Sequence, residues 1–263
     1  MQTSSKFKNL TFVIPAFGES PYLEDCIQCL LNQSIKTDIV ITTHRENQLL
    51  VLLSKKYSIP LLINKKGGSI SKDWDFALHA SFNSLVTLAH QDDLYHPKYA
   101  ENMLNFFNQN ENCAIAFTDL RELINGKLYK NNKRELIKKI LRKIAYFRLS
   151  VTNNTIRHRI LLGFGCSIPC PTVTYNKDVI GNFLFSDLYT VNLDWDAWYR
   201  LARKNSLIGY IRQSFVTHRI HADAETQKGI SEKRREREDF ELFSQFWPKP
   251  VARILLSIYR LSY

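Results

Sequence analysis

Between Leu10 and Ala89, short apolar runs alternate with amphipathic stretches at a spacing that leaves few folds open. Leu10 to Ile14 reads as a strand stopped by Pro15, and Pro21 to Asn32 then places Leu23, Ile27, Leu30 and Leu31 at helical spacing. Asp38 to Thr43, Pro60 to Ile63 and Leu85 to Ala89 read as further strands, with helices over Asn47 to Tyr57 and Ser71 to Phe82 between them. Strands separated in this way by helices predict right-handed βαβ units on a parallel sheet. The pattern continues with a helix over Pro97 to Asn108, a strand over Cys113 to Thr118, and an Asn125-Gly126 hairpin turn leading into Lys127 to Lys130.

The second half is less regular. Glu135 to Phe147 sets Leu136, Ile137, Ile140, Leu141 and Ile144 on one helical face and Lys138, Lys139, Arg142 and Lys143 on the other. Short strands are expected near Thr172 to Tyr175, Leu207 to Ile211 and Ser214 to Arg219, with helices over Asp194 to Lys204, Ala224 to Phe246 and, beyond Pro250, Val251 to Leu261. One domain over 1–226, with a basic insertion at about 127–162 and a helical extension over 227–263 packed on it or on a membrane, is the simplest organisation. With 44% hydrophobic and 23% charged residues in 263, the chain can bury its own core, which excludes disordered and low-complexity classes. The five cysteines are too sparse for a disulfide scaffold. Cys26 and Cys29 lie one helical turn apart and Cys166 and Cys170 flank Pro169, but no accompanying pair has zinc-finger spacing, so small buried residues are expected. Met1 to Asn9 has no apolar stretch of signal-peptide length, and no run reaches the roughly 18 residues of a membrane span, so a cytoplasmic location is expected.

The net charge of +11 is concentrated: residues 127–162 hold eleven Lys or Arg and one acid, Glu135. Such a patch fits an anionic membrane surface or an ordinary charged outer face. Without interleaved aromatics or a reader motif it does not fit a nucleic acid, and no nucleic-acid partner is expected.

In a parallel sheet, ligands collect at the carboxyl ends of the strands. The polar clusters Pro15 to Glu19, Thr42-Thr43-His44, Asn64 to Ser69 and His90-Gln91-Asp92-Asp93 all fall there. Two adjacent carboxylates at a strand end repel unless a cation relieves them, and a hard divalent ion takes oxygen ligands. The alternative is that one of them caps the following helix or faces solvent.

These clusters come in the order and rough spacing of family 2 glycosyltransferases, over about Leu10 to Thr226. The segment TFVIPAFGESPYLEDCIQCLLNQ resembles that family's opening strand, loop and helix, and LVTLAHQDDLYHPKYAENML its metal-binding strand and following helix. NLDWDAWYRLA is similar to its acidic helix start, and VTHRIHADAET to its late segment. The KDWDFAL and AHQDD segments look like transferases of bacterial capsule or O-antigen type surface polysaccharides. The resemblance implies an α/β fold of the GT-A, Rossmann-like kind, a mostly parallel sheet flanked by helices with the basic and C-terminal amphipathic helices added. It implies an inverting, metal-dependent transferase that takes a sugar from a nucleoside diphosphate sugar, UDP being the expected nucleotide, to a glycan or lipid-diphosphate-linked acceptor, with the protein peripheral on the inner face of the plasma membrane.

By the same resemblance, Asp92 and His221 would hold Mn2+ or Mg2+, and Asp194 would be the base that deprotonates the acceptor. Pro15, Ala16, Phe17, Glu19, Thr43, Lys72, Asp75, Gln91 and Asp93 would contact the donor. For Asp194 and Asp196 the competing reading is an acid favoured at a helix N-terminus, and Trp195 or Trp198 would either stack on a sugar or enter the core. Gly67-Gly68-Ser69 resembles a phosphate-side loop but is also an ordinary turn. The chain departs from the family where paired acids usually follow the second strand, here Thr42-Thr43-His44. It departs again at His90, Leu193 and Trp74-Asp75, which stand for an acid, an acid and an Arg-Asn pair. Either the donor contacts are rebuilt around these changes or the fold has become a non-catalytic glycan- or membrane-binding module.

Overall fold

The computed structural model describes residues 5–129, 133–221 and 233–262. Its first half follows the expected alternation: β1 (Leu10–Pro15), α1 (Leu23–Leu31), β2 (Asp38–Thr43), α2 (Gln48–Tyr57), β3 (Leu61–Ile63), α3 (Ile70–His79) and β4 (Leu85–Leu88). β1 pairs in parallel with both β2 and β4, Val13 lying opposite Val40 on one side and Leu88 on the other. A strand covered on both faces reads as a continuous apolar run, which is why LTFVI carries no polar alternation. Successive side chains still point to opposite faces. Phe12 and Ile14 pack with Leu23, Ile27, Leu50 and Leu53 under α1 and α2, whereas Val13 joins Ala77 and Leu78 of α3 on the other side.

Two helices start as their sequences dictate. The Asn47 side chain accepts from the Leu50 N–H at the start of α2, and the Ser69 hydroxyl caps α3.

Beyond β4 come β5 (Leu94–Tyr95), α4 (Tyr99–Gln109), β6 (Cys113–Ile124), β7 (Lys127–Tyr129), α5 (Lys133–Ala145), β8 (Val151–Thr152) and α6 (Thr155–Leu162). They are followed by β9 (Thr174–Asn176), α7 (Lys177–Ile180), α8 (Leu193–Arg203), β10 (Leu207–Ile220), α9 (Arg234–Phe246) and α10 (Lys249–Tyr259). The sheet runs β3-β2-β1-β4-β9-β6-β10-β5 and is mixed. β9 inserts antiparallel between β4 and β6, while β6 and β10 run parallel. The two strands expected over Leu207–Ile211 and Ser214–Arg219 are one long strand, because Arg212 and Gln213 are extruded as a bulge while pairing to β6 continues. The expected Lys130 and the expected start of the charged helix at Ala224 lie outside the described residues. α9 and α10 bring Leu242, Phe243 and Ala252 into the core that holds Trp195 and Trp198. No described helix is long and apolar enough to cross a membrane.

The basic helix α5 is inverted relative to an ordinary charged outer face. Its apolar residues Leu136, Ile137, Ile140 and Ile144 are exposed, and Arg142 is fully buried. The Arg142 guanidinium pairs with Asp119 of β6 at 2.9 Å and with Glu135 two turns back, and donates to the Ser167 carbonyl at 2.9 Å. Asp119 also accepts from the Tyr210 hydroxyl at 2.7 Å. A buried guanidinium is tolerable only when its donors meet acceptors, and this network supplies them.

Replacing Arg142 by Met removes the buried cation shared by Asp119 and Glu135 and leaves Asp119 facing only the partly exposed Lys139 at 3.7 Å. Arg142→Met is therefore expected to lower stability by about 3–5 kcal/mol, read as a lower urea midpoint with an unchanged slope.

Candidate active site

The two-residue strand β5 builds the site. It pairs antiparallel with β10, Leu94 opposite Thr217 and Tyr95 opposite Val216, and so delivers the end of β10 to the turn that follows β4. Asp93, fully buried, accepts from the Arg219 N–H at 2.9 Å and from His218 Nδ1 at 2.9 Å, with His90 Nδ1 at 3.8 Å. Burial pushes the Asp93 carboxyl up, but the facing His218 and His90 and the Arg219 N–H hold it below its ordinary value. Burial likewise opposes charge on His218, and the Asp93 carboxylate outweighs it, raising that imidazole to about 9. Asp93 and His218 are thus an ion pair at neutral pH.

With Asp93 committed, Asp92 is the carboxylate left facing the crevice. Its Oδ2 lies 2.9 Å from His221 Nε2, and its carbonyl accepts from Arg219 Nε at 3.1 Å. The Arg219 guanidinium sits 4.3 Å from the Tyr22 ring centroid and 3.2 Å from Asp25, and the Tyr22 ring is 5.0 Å from that of His221. Two ligands of an octahedral divalent ion at about 2.1 Å stand about 3 Å apart when adjacent, so the Asp92–His221 separation fits a pair of ligands. His90, Asp92 and Asp93 also bring ligand atoms within 4.8 Å of one another. The carboxylates suit Mn2+ or Mg2+, and the imidazole nitrogen favours Mn2+ over the harder Mg2+.

Asp194 opens α8. Its Oδ1 accepts from the adjacent Trp195 N–H at 2.7 Å. Burial raises its pKa above the usual aspartate value, against that N–H and the nearby cations Lys138 and Arg235 and the ring of His90. A carboxylate with a raised pKa is suited to take a proton. Asp196, by contrast, is bound to Arg200 at 2.7 Å within the same helix. Neither Trp195 nor Trp198 meets a sugar ring: both are fully buried, Trp195 donating to the Leu162 carbonyl at 3.1 Å.

On the β1 side, Gln91 uses both ends of its amide on Phe17, accepting from its N–H and donating to its carbonyl, each at 3.1 Å. Ala16 N–H donates to the Thr42 carbonyl at 2.7 Å. Pro15 ends the strand, Glu19 is exposed, and the Phe17 ring is 64% exposed, 5.6 Å from that of His44. Thr43 turns its hydroxyl onto Arg45.

His44 Nδ1 lies 2.5 Å from Asp73, which also accepts from Asn64 at 2.9 Å. A Cβ on Gly67 would fall 2.2 Å from that of His44, so the loop before α3 closes this tightly only with glycine there. Lys72 is exposed in the first turn of α3, and Asp75 accepts from the Phe185 N–H at 2.7 Å.

Sequence reasoning missed His218, Asp73, Tyr22 and Glu238. Glu238 of α9 accepts from the N–H groups of Thr190, Val191 and Asn192 at 3.0, 3.0 and 2.9 Å, and Asp239 accepts from the Asn192 amide at 2.7 Å, fixing the chain just before Asp194. Nothing local marks Glu238; it is one acid in a charged helix. His218 had a signal, being three residues before His221.

The Asp93–His218 pair has a pH signature. Its raised imidazole contributes stability that is full below the unfolded value of 6.5 and is lost as pH rises through about 9. Urea midpoints measured over that interval in EDTA are expected to fall, and to fall less in His218→Gln.

A model of glycosyltransferase like family 2 matches residues 8–240. An uncharacterized glycosyltransferase of Rickettsia prowazekii (strain Madrid E) is 25% identical over 258 residues, spanning 95% of this chain and 74% of that protein. One of Rickettsia typhi (strain ATCC VR-144 / Wilmington) is 21% identical over 219 residues, 82% of this chain and 65% of its own length. Among solved structures, S. aureus TarS 1-349 in complex with UDP-GlcNAc aligns at a TM-score of 0.66 with 12% identity, covering 95% of this chain and 70% of that one. Mannosyltransferase PcManGT from Pyrobaculum calidifontis, in complex with GDP-Man and Mn2+, aligns at 0.63 with 12% identity, covering 94% and 69%. These structural likenesses establish the GT-A fold, and the family match spans most of the residues that build the crevice: the chain belongs to glycosyltransferase family 2.

Proposed function

We propose that this glycosyltransferase moves a sugar, with inversion, from a nucleoside diphosphate sugar to a lipid-diphosphate-linked glycan in bacterial surface polysaccharide assembly, as a peripheral protein on the inner face of the plasma membrane. The observation that carries the reading is the Asp92–His221 pair on the turn after β4, and it is supported by the raised pKa of Asp194, which suits the proposed base. Asp92 and His221 would hold a divalent ion, whose charge would offset that of the departing diphosphate.

The chain's own groups do the rest. The exposed Phe17 ring, beside His44, would stack on the base, and the His44–Asp73 pair would read it in place of the paired acids usual after the second strand. UDP is the proposed nucleotide, in keeping with the UDP and UDP-GlcNAc complexes of TarS. Pro15, Ala16, Glu19 and Thr43 line the same side, Lys72 faces the diphosphate and Asp75 the sugar. Gln91 acts by pinning the Phe17 peptide, and Asp93 by holding the end of β10. Asp194 takes the acceptor hydroxyl proton as that oxygen bonds to the anomeric carbon from the face opposite the leaving diphosphate. The carbon–oxygen bond to the diphosphate breaks with its electron pair going to the phosphate oxygen.

Thermal unfolding with UDP and Mn2+ tests the site first: a ligand at about 100 times its dissociation constant adds roughly 2.7 kcal/mol. The shift is expected in wild type, absent in Asp92→Ala, and retained in Asp194→Asn, whose transfer rate falls by about 10²–10⁴. Retained turnover in Asp194→Asn would remove it as the base. Because only the deprotonated carboxylate accepts a proton, and burial raises its pKa, kcat/KM is expected to decline with falling pH on a limb centred above 3.8.

A further inference from the structure

An amphipathic helix on a globular domain normally turns its apolar stripe inward. In α5 the stripe faces out: Leu136, Ile137, Ile140 and Ile144 follow one another along the solvent side, and Phe147 just beyond the helix is 63% exposed. The rotation is fixed from inside, since the buried Arg142 is held by Asp119, Glu135 and the Ser167 carbonyl, and Ala145 and Tyr146 are buried beside it. Turning the stripe inward would pull that guanidinium out of its network.

The rim of the stripe is cationic. Lys143 is exposed, and Arg148, in the left-handed region at φ 58°, places its guanidinium 5.2 Å from the Phe147 ring centroid. The helix combines strong amphipathicity with low mean hydropathy, as helices that lie in a membrane interface do. The one acid between 127 and 162 is Glu135, and it is buried against Arg142, so the outward side presents positive charge with apolar side chains between.

We infer that the outward face of α5, with Phe147, is the surface by which this protein seats on an anionic lipid bilayer. A second copy is a poorer occupant, because a twofold contact would bring two such basic segments together. An anionic surface meets the lysine and arginine rim with opposite charge while its acyl boundary takes the isoleucines. The surface names the bilayer contact that the proposed peripheral location leaves open, and it rests on the exposed stripe and its cationic rim, not on the transfer reading.

The test is co-sedimentation of the full chain with phosphatidylcholine vesicles with and without about one-third phosphatidylglycerol, without donor or acceptor, so that it can fail independently of the transfer reaction. Wild type is expected to bind the anionic vesicles and not the neutral ones. Ile140→Glu/Ile144→Glu is expected to lose about tenfold or more of that binding while keeping its unfolding temperature and its UDP–Mn2+ shift. Wild type remaining in the supernatant would overturn the assignment. So would equal binding by the double variant, or a wild-type dimer in vesicle-free solution that the double variant dissociates.

Discussion

One buried carboxylate organises the site. Asp93 ends the turn after β4, and with no access to water its charge has to be met by protein groups; the His218 ring and the Arg219 N–H meet it. Those partners belong to a strand more than a hundred residues away in sequence. The ion pair therefore does more than stabilise: it brings β10 to the carboxyl end of β4, and with it His221 to Asp92 and Arg219 to Tyr22 and Asp25. Without Asp93, the two-residue pairing of β5 with β10 would be left to hold that end of the strand beside Asp92.

The start of α8, with Asp194, is assembled on the same plan, by charges that come from far along the chain. Three consecutive N–H groups before α8 end on the Glu238 carboxylate, and Asn192 is held by Asp239. This leaves Asp194 in the first turn of a helix that the buried Trp195 and Trp198 anchor to the core. The β1 side shows a third instance: Gln91 ties the β1 loop to the β4 turn, and the His44–Asp73 contact ties the end of β2 to α3.

What could be read in the sequence, and what could not, divides along the range of the interactions. The elements from β1 to β4 were legible because burial on both faces of a parallel strand leaves unbroken apolar runs, and the intervening helices carry their own periodicity and, at Asn47 and Ser69, their own caps. The strand-end positions of Pro15 to Glu19, Gln91 and Asp92 followed from that alternation. β5 was missed because two residues carry no period. β10 was split in two because the bulge at Arg212 and Gln213 looks like a turn when pairing with β6 is not visible. Periodicity found α5 but not which of its faces is inside, since that was decided by Arg142 meeting Asp119, a partner on another element. The acid sought after β2 was looked for by position, whereas the carboxylate in that region is Asp73.

The Glu238 contact sets where the molecule can be taken apart. The contacts of Phe17, His44 and Asp73 close within the first 91 residues, although α3 is also held from Phe185 and Asp187, while the loop before Asp194 hangs from a helix near the other end of the chain. An exchange of segments between members of this fold would have to carry residues 185–187 along with the first 91. An exchange made at position 226 would separate α8 from the Glu238 carboxylate that fixes the chain before it, so the seam between interchangeable parts lies within the tertiary structure and coincides with no point along the chain.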